Sequence, residues 1–273
     1  MKMPKMGQGT WKLGDNPQSY DREIESVRLG IENGLSLIDT AEMYGDGRSE
    51  ILIGKAIKPY KREDLFIVSK VYPFNAGENI YNSLNNSLER LGLDYLDLYL
   101  LHWRGNIALS ETVYHMERLV EMGLIKNWGV SNFDTEDMQE LLSIEKGENC
   151  KVNQVLYNLT SRGIEYSLVP YLKENKIEIM GYCPIYPDKV LYNKLIKNKL
   201  LIEIAKKHAI SIPQLLLAFI NYRQDIIPIP RTANPKHSLA NAKMLKWQLP
   251  KEDYDNLDRE FPVPNYKTPL HIV

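Results

Sequence analysis

Short apolar runs alternate with helical patterns along this whole chain, and that alternation leaves few folds open. Runs at residues 7–13, 35–41, 65–71, 95–102, 125–131, 152–158, 177–183 and 226–229 read as strands. Between them apolar residues recur at helical spacing. Ile24, Val27 and Ile31 do so over 19–33, Ile80, Leu84, Leu88 and Leu91 before Gly92, and Val113, Met116 and Val120 before Gly123. A glycine just past the last periodic residue is the expected left-handed stop. Further helices are predicted over 48–58, 135–145, 167–175, 213–221, 238–244 and 250–261, with another carrying Leu200, Leu201, Ile204, Ala205 and His208. The stretch YLDLYLLH (95–102) is apolar on both faces, as a parallel strand covered on both sides must be. The first seven strands begin about 25–30 residues apart, and eight βα units in about 250 residues are the arithmetic of a (β/α)8 TIM barrel of the α/β class.

A doubly wound sheet alternates too, but it needs fewer strands and a Gly-rich first turn. No GxGxxG follows residues 7–13, there is no Walker A sequence, and Gly45-Asp46-Gly47 reads as turn chemistry. One domain over residues 1–273 is expected. A chain of this size buries about three quarters of its unfolded surface and needs no disulfides. Its two cysteines, Cys150 and Cys183, form no CxxC pair. Thirty-four basic against thirty-five acidic residues leave a charge of −1, which argues against a nucleic-acid partner. The N-terminus lacks a signal-peptide apolar core, and the apolar run 215–220 is far shorter than the ~20 residues that span a bilayer. A cytoplasmic protein with no membrane association and no metal site is the expectation.

In a TIM barrel, chemistry belongs to the C-terminal ends of the strands. Here strand two ends in Asp39, strand three in Lys70 and strand four in His102, with Tyr44 five residues past Asp39. Taken singly, each has a plainer reading as a cap, a solvated lysine, a core histidine or one tyrosine of 17. Together they suit one task. A phenol of pKa near 10 becomes a useful acid when a cation stabilises its phenolate and a carboxylate holds that cation in place. Such a group protonates a carbonyl oxygen as charge develops there. The carbon then needs hydride, which no side chain donates, so a nicotinamide is implied. A barrel lyase forming a Schiff base on Lys70 is the competing chemistry, although a paired Asp39 keeps the lysine charged rather than nucleophilic. Because the strands are apolar on both faces, side-chain parity does not tell which of these residues point inward.

At these positions the sequence resembles the aldo-keto reductases. The resemblance is carried by GQGTWKLG (7–14), LIDTAEMYGDGRSEILIGKAI (37–57), VSK (68–70), LGLDYLDLYLLHW (91–103), KNWGVSNF (126–133), NQVLYN (153–158), GYCPI (181–185) and IPIPRTANPKHSLAN (227–241). It implies a TIM barrel and makes Tyr44 the general acid, with Asp39, Lys70 and His102 completing a tetrad. It places Ser131, Asn132 and Gln154 on the nicotinamide carboxamide and Tyr182 against the nicotinamide ring. Arg231 and Thr232 fall where a base and a hydroxyl meet the 2′-phosphate, His237 stands where better-known members have arginine, and Asn241 falls at the adenine. A guanidinium suits a phosphate bidentately, which favours NADP over NAD. The segment YPDKV (186–190) lacks the glycine often found in the loop over the pyrophosphate. The chain is short for the family, which implies an open pocket walled by Trp11, Tyr72 and Trp103. The expected activity is NADPH-dependent reduction of a small-molecule aldehyde or ketone to an alcohol. A nucleotide-binding regulatory subunit with vestigial turnover is the alternative that the resemblance permits.

Overall fold

Eight parallel strands pair in sequence order, β1 (Gly7–Gly9), β2 (Leu37–Asp39), β3 (Phe66–Val71), β4 (Leu98–Leu101), β5 (Trp128–Ser131), β6 (Val152–Leu156), β7 (Glu178–Tyr182) and β8 (Ile227–Pro228). A parallel bridge between Gly9 and Arg231, with the Gly9 amide donating to the Pro230 carbonyl at 3.1 Å, brings the last strand back to the first. The computed structural model describes residues 1–186 and 189–272. Around the strands lie α1 (Tyr20–Glu32), α2 (Arg48–Ile57), α3 (Ile80–Leu91), α4 (Leu109–Glu121), α5 (Thr135–Ser143), α6 (Leu168–Glu174), α7 (Lys189–Leu195), α8 (Lys199–Lys207), α9 (Ile212–Arg223), α10 (Pro235–Lys243) and α11 (Lys251–Glu260). The expected (β/α)8 barrel is the observed one.

Parity along the strands builds two cores. Leu37, Val68, Leu98, Leu100, Val152, Met180 and Ile229 pack together as an inner cluster. Their neighbours in sequence, among them Ile38, Ile67, Tyr99, Leu101 and Ile179, face the helices in a larger outer cluster. Each such fully buried aliphatic side chain contributes about 1.5–3 kcal/mol. On β5 the inner position is Gly129, where an added Cβ would lie 2.4 Å from the Val152 carbonyl oxygen, so the barrel closes here only around a glycine. Helix α3 buries Ile80, Leu84, Leu88 and Leu91 on one face and stops at Gly92 in the left-handed region. Capping boxes start α5 (Asp134 with Asp137) and α9 (Ser211 with Gln214).

Two expectations shift in detail. The first strand ends at Gly9 rather than near residue 13, because the Leu13 amide turns back to the Thr10 carbonyl and Lys12 and Gly14 take left-handed backbone. Helix α7 has no counterpart in the sequence reading; its Val190 is 68% exposed, so little apolar periodicity marks it. Of YPDKV, Pro187 and Asp188 lie outside the described residues. Among the described residues, no helix is long and apolar enough to cross a membrane.

Candidate active site

Six of the predicted residues lie two positions beyond a member of the inner core. Asp39 follows Leu37, Lys70 follows Val68, His102 follows Leu100, Gln154 follows Val152, Tyr182 follows Met180 and Arg231 follows Ile229. Side chains alternate along a strand, so all six project on the barrel's inner side at its C-terminal mouth. The parity that the sequence could not settle is thereby settled.

Lys70 is fully buried and Asp39 is 2% exposed. The ammonium spends its three donors on Asp39 Oδ2 at 2.8 Å, the Thr40 carbonyl at 2.8 Å and the Tyr44 hydroxyl oxygen at 3.2 Å. Burial works against its charge, but Asp39 and Tyr44 outweigh that cost and raise its pKa. A lysine so held stays protonated, which argues against Schiff-base chemistry. At Tyr44, burial raises the phenol pKa above its usual value, and Lys70 pulls it back only in part. The phenol is therefore protonated at neutral pH. Since its oxygen accepts from an ammonium that can only donate, the phenolic proton is left for another acceptor.

The loop carrying Tyr44 is tied down at both ends. Ser49, in the first turn of α2, has its single hydroxyl donor between Thr10 Oγ1 at 2.8 Å and the Thr10 carbonyl at 3.1 Å. Its amide donates to the Tyr44 carbonyl at 3.2 Å. Gly45, Asp46 and Gly47 all have positive φ (+60°, +50°, +85°), so this turn needs the glycines that the sequence reading assigned to it. Behind Lys70, Ser69 donates to buried Glu50 at 2.6 Å and Arg90 pairs with the same carboxylate, locking β3 to α2 and α3.

His102 is 8% exposed and meets the Tyr44 ring edge-on at 5.7 Å. Burial, with the Lys70 charge added, lowers its pKa to about 2, so the imidazole is neutral. Its Nδ1 is buried and has no partner among the described residues. An orphaned buried N–H is rarer than an under-used acceptor, so the proton belongs on Nε2.

The other half of the mouth forms a second network. Gln154 Nε2 donates to Asp39 Oδ1 at 2.7 Å, and a carboxylate there can face only the amide nitrogen, which leaves the Gln154 carbonyl oxygen facing elsewhere. Ser131 donates to the Gln154 backbone carbonyl at 2.9 Å. Asn132, in the left-handed region that asparagine tolerates, donates to the His102 carbonyl at 3.1 Å and to Ser131 Oγ at 3.2 Å. Its Oδ1 accepts the Tyr182 hydroxyl at 2.8 Å. The four residues expected at a nicotinamide thus lie together beside the tetrad.

After β8, Thr232 Oγ1 accepts the Asn234 amide at 3.1 Å, and Asn234 caps α10 by accepting the Lys236 amide. Lys236 and His237 are exposed in the first turn of α10, while Asn241 is 5% exposed and lines a small cavity with Ser238, whose buried hydroxyl has no partner among the described residues. Arg231 is not an idle cation. Its guanidinium donates to the Trp11 carbonyl at 2.8 Å and the Lys12 carbonyl at 3.2 Å, holding the loop after β1.

Of the predicted pocket wall, Tyr72 and Trp103 meet edge-to-face at 5.7 Å, with Trp103 also against His102 at 5.0 Å. Trp11, 45% exposed under the Lys12 ammonium, stands on the β1 side of the mouth. The sequence reading missed Phe74, which stacks on Tyr72 at 4.7 Å while 70% exposed; a third aromatic just past a strand end is the signal that could have found it. It also missed the Thr40 carbonyl, for which a sequence carries no signal. Cavities of about 280 and 530 Å³ lie elsewhere, against the C-terminal tail and at the N-terminal end of the barrel, and no tetrad residue lines either. Chemistry, not cavity size, marks this site.

Residues 5–260 match the family described as the Aldo/keto reductase family. The chain is 46% identical to methylglyoxal reductase YeaE of Escherichia coli over 274 aligned positions, covering all of this chain and 96% of that protein. It is 34% identical to glyoxal reductase of Bacillus subtilis, covering 94% and 89%. Among solved structures, an aldo/keto reductase from Klebsiella pneumoniae in complex with NADP and acetate superposes with a TM-score of 0.96 at 44% identity, over 99% of this chain and 96% of that one.

Proposed function

The chain belongs to the aldo/keto reductase family, and from that premise we propose that it reduces small aldehydes and ketones with NADPH, Tyr44 giving the proton. The observation that carries the reading is the buried Asp39–Lys70–Tyr44 chain, in which a charged ammonium presents a still-protonated phenol to the mouth beside neutral His102. The relatives act on methylglyoxal and glyoxal by name, which makes small dicarbonyls the first substrates to try. In the same reading residues 1–273 form one cytoplasmic domain that binds neither nucleic acid nor membrane.

The residues present fit NADPH. Gln154 has a carbonyl oxygen to spare for a carboxamide N–H, Ser131 and Asn132 lie beside it, and the Tyr182 ring stands next to them. At the other end Asn241 and the orphaned Ser238 hydroxyl would meet adenosine. Thr232, whose oxygen already accepts and whose O–H can still donate, would join Arg231, Lys236 and His237 at the phosphate. When bound, NADPH supplies hydride to the carbonyl carbon.

The chain's own residues do the rest. Tyr44 and the Nε2–H of His102 hydrogen-bond the carbonyl oxygen and hold it at the mouth. As negative charge grows on that oxygen, Tyr44 transfers its proton, and the phenolate left behind is stabilised by the Lys70 ammonium 3.2 Å away. Asp39 keeps that ammonium charged throughout. Oxidation of NADPH followed at 340 nm with glyoxal, methylglyoxal and simple aldehydes tests the whole reading; no oxidation with any of them, and no cofactor binding, would refute it.

Two predictions arise here. Reduction requires protonated Tyr44, whose pKa lies above its ordinary value of about 10, and a His102 that never titrates in the working range. The kcat for reduction is expected to stay flat from about pH 5.5 to 9 and to fall only as the phenol ionises above that. An acid limb near pH 6.5 in the Michaelis complex would mean that His102 changes protonation after all.

The second concerns Arg231, which has a loop to hold as well as a phosphate to meet. Loss of a charge-assisted pair costs about 1.5–3 kcal/mol, so Arg231→Ala is expected to weaken NADPH roughly ten- to a hundredfold more than NADH. Dissociation constants for both cofactors by fluorescence titration check it. Equal losses would assign Arg231 to the Trp11–Lys12 loop alone.

A further inference from the structure

We propose that Glu42 is a positioning residue that sets which carbonyl compounds this enzyme prefers, by holding the backbone at Tyr72 and with it the aromatic wall of the mouth. The proposal rests on the reductase reading given above. Its basis is a substitution within the β2–β3 ladder. Past Asp39 the ladder continues for two steps, the Thr40 amide donating to the Val68 carbonyl at 2.9 Å and the Glu42 amide to the Lys70 carbonyl at 3.4 Å. In a parallel ladder the next bond would run from the Tyr72 amide to the backbone carbonyl of residue 42. Instead the Tyr72 amide donates to the Glu42 carboxylate, Oε1, at 2.7 Å. The backbone has by then turned away into the loop that presents Tyr44, and the side chain supplies the missing acceptor. Asn75 Nδ2 approaches the same oxygen at 3.4 Å.

The consequence reaches the site through ring contacts. Tyr72 stacks on Phe74, meets Trp103 edge-to-face, and Trp103 lies against His102, which touches Tyr44. A carbonyl oxygen bound by Tyr44 and His102 puts its neighbouring substituent against these rings. Glu42 belongs to the loop that carries the proton donor and grips the loop that carries the wall, so it fixes the gap between them. A large flat substituent depends on that gap, whereas a methyl group does not.

Methylglyoxal and phenylglyoxal make the matched pair, since they share the dicarbonyl and differ in that substituent. For Glu42→Ala the ratio of kcat/KM for phenylglyoxal to that for methylglyoxal is expected to fall about tenfold, through KM for phenylglyoxal, a size typical of one pocket contact. Glu42→Gln, whose amide oxygen can accept the same N–H, should keep the wild-type ratio within about twofold. Tyr72→Leu should lower the ratio as well, and adding Glu42→Ala to it should lower it little further. If Glu42→Ala does not fold, Glu42→Asp carries the same prediction, because its carboxylate falls one methylene short. An unchanged ratio in Glu42→Ala, an equal rise of KM for both substrates, or damage from Glu42→Gln matching that from alanine would overturn the proposal while leaving the reductase reading intact. A wild type that oxidises NADPH with neither dicarbonyl would overturn both.

Discussion

Replacing Tyr44 with phenylalanine is expected to lower kcat for carbonyl reduction by two to four orders of magnitude, the usual worth of a positioned general acid. The change removes one oxygen and little else. Phenylalanine keeps the ring that meets His102 edge-on, and Lys70 keeps Asp39 and the Thr40 carbonyl as partners, so the fold should hold. The remaining donor, His102, is neutral because burial and the Lys70 charge lower its pKa to about 2, and the N–H of a neutral imidazole, whose loss would leave an imidazolate, is a far weaker acid than a phenol. It can orient a carbonyl but not replace the phenol. Affinity for NADPH, measured by quenching of tryptophan fluorescence, should stay within about twofold, because Gln154, Ser131 and Asn132 are untouched. Near-full turnover in this variant would remove Tyr44 from the role of acid. A lost turnover accompanied by lost cofactor binding would mean that the phenol shapes the cofactor site.

How much of this was legible in the chain depends on the kind of interaction involved. The barrel shows because burying a strand on both faces demands an apolar run, and eight such runs spaced by helical patterns admit one common closure. Asp39, Lys70 and His102 show because a charged or polar group ending an apolar run is costly unless it has a partner. Their convergence does not show. It follows from parity relative to Leu37, Val68 and Leu100, and a strand apolar on both faces hides its parity. Backbone partners are invisible for a deeper reason, since the Thr40 carbonyl that holds Lys70 would be present whatever residue stood there. Arg231 shows the opposite limit. The family resemblance assigns it to a phosphate, and only the fold reveals that it also carries the loop after β1.

The buried ion pair leads to the last expectation, in which stability and activity separate. Lys70→Met is expected to destabilise the protein by about 3–5 kcal/mol, because it leaves the Asp39 carboxylate, 2% exposed, without its counter-charge. For a chain of this length that is a drop in Tm on the order of 10 °C. Turnover should fall by at least about a hundredfold, since the phenolate at Tyr44 loses the ammonium that stabilises it. Adding Asp39→Asn to Lys70→Met removes the stranded charge. The asparagine carbonyl can still accept from Gln154 Nε2, so most of the lost stability should return. Activity should not, because nothing in the double variant replaces the cation. Thermal unfolding and steady-state kinetics on the two variants check both halves. A Lys70→Met protein as stable as the wild type would mean that Asp39 takes up a proton cheaply in this site. Recovery of turnover in the double variant would show that Tyr44 needs only a neutral environment and that the Lys70 charge, for all its burial, is structural.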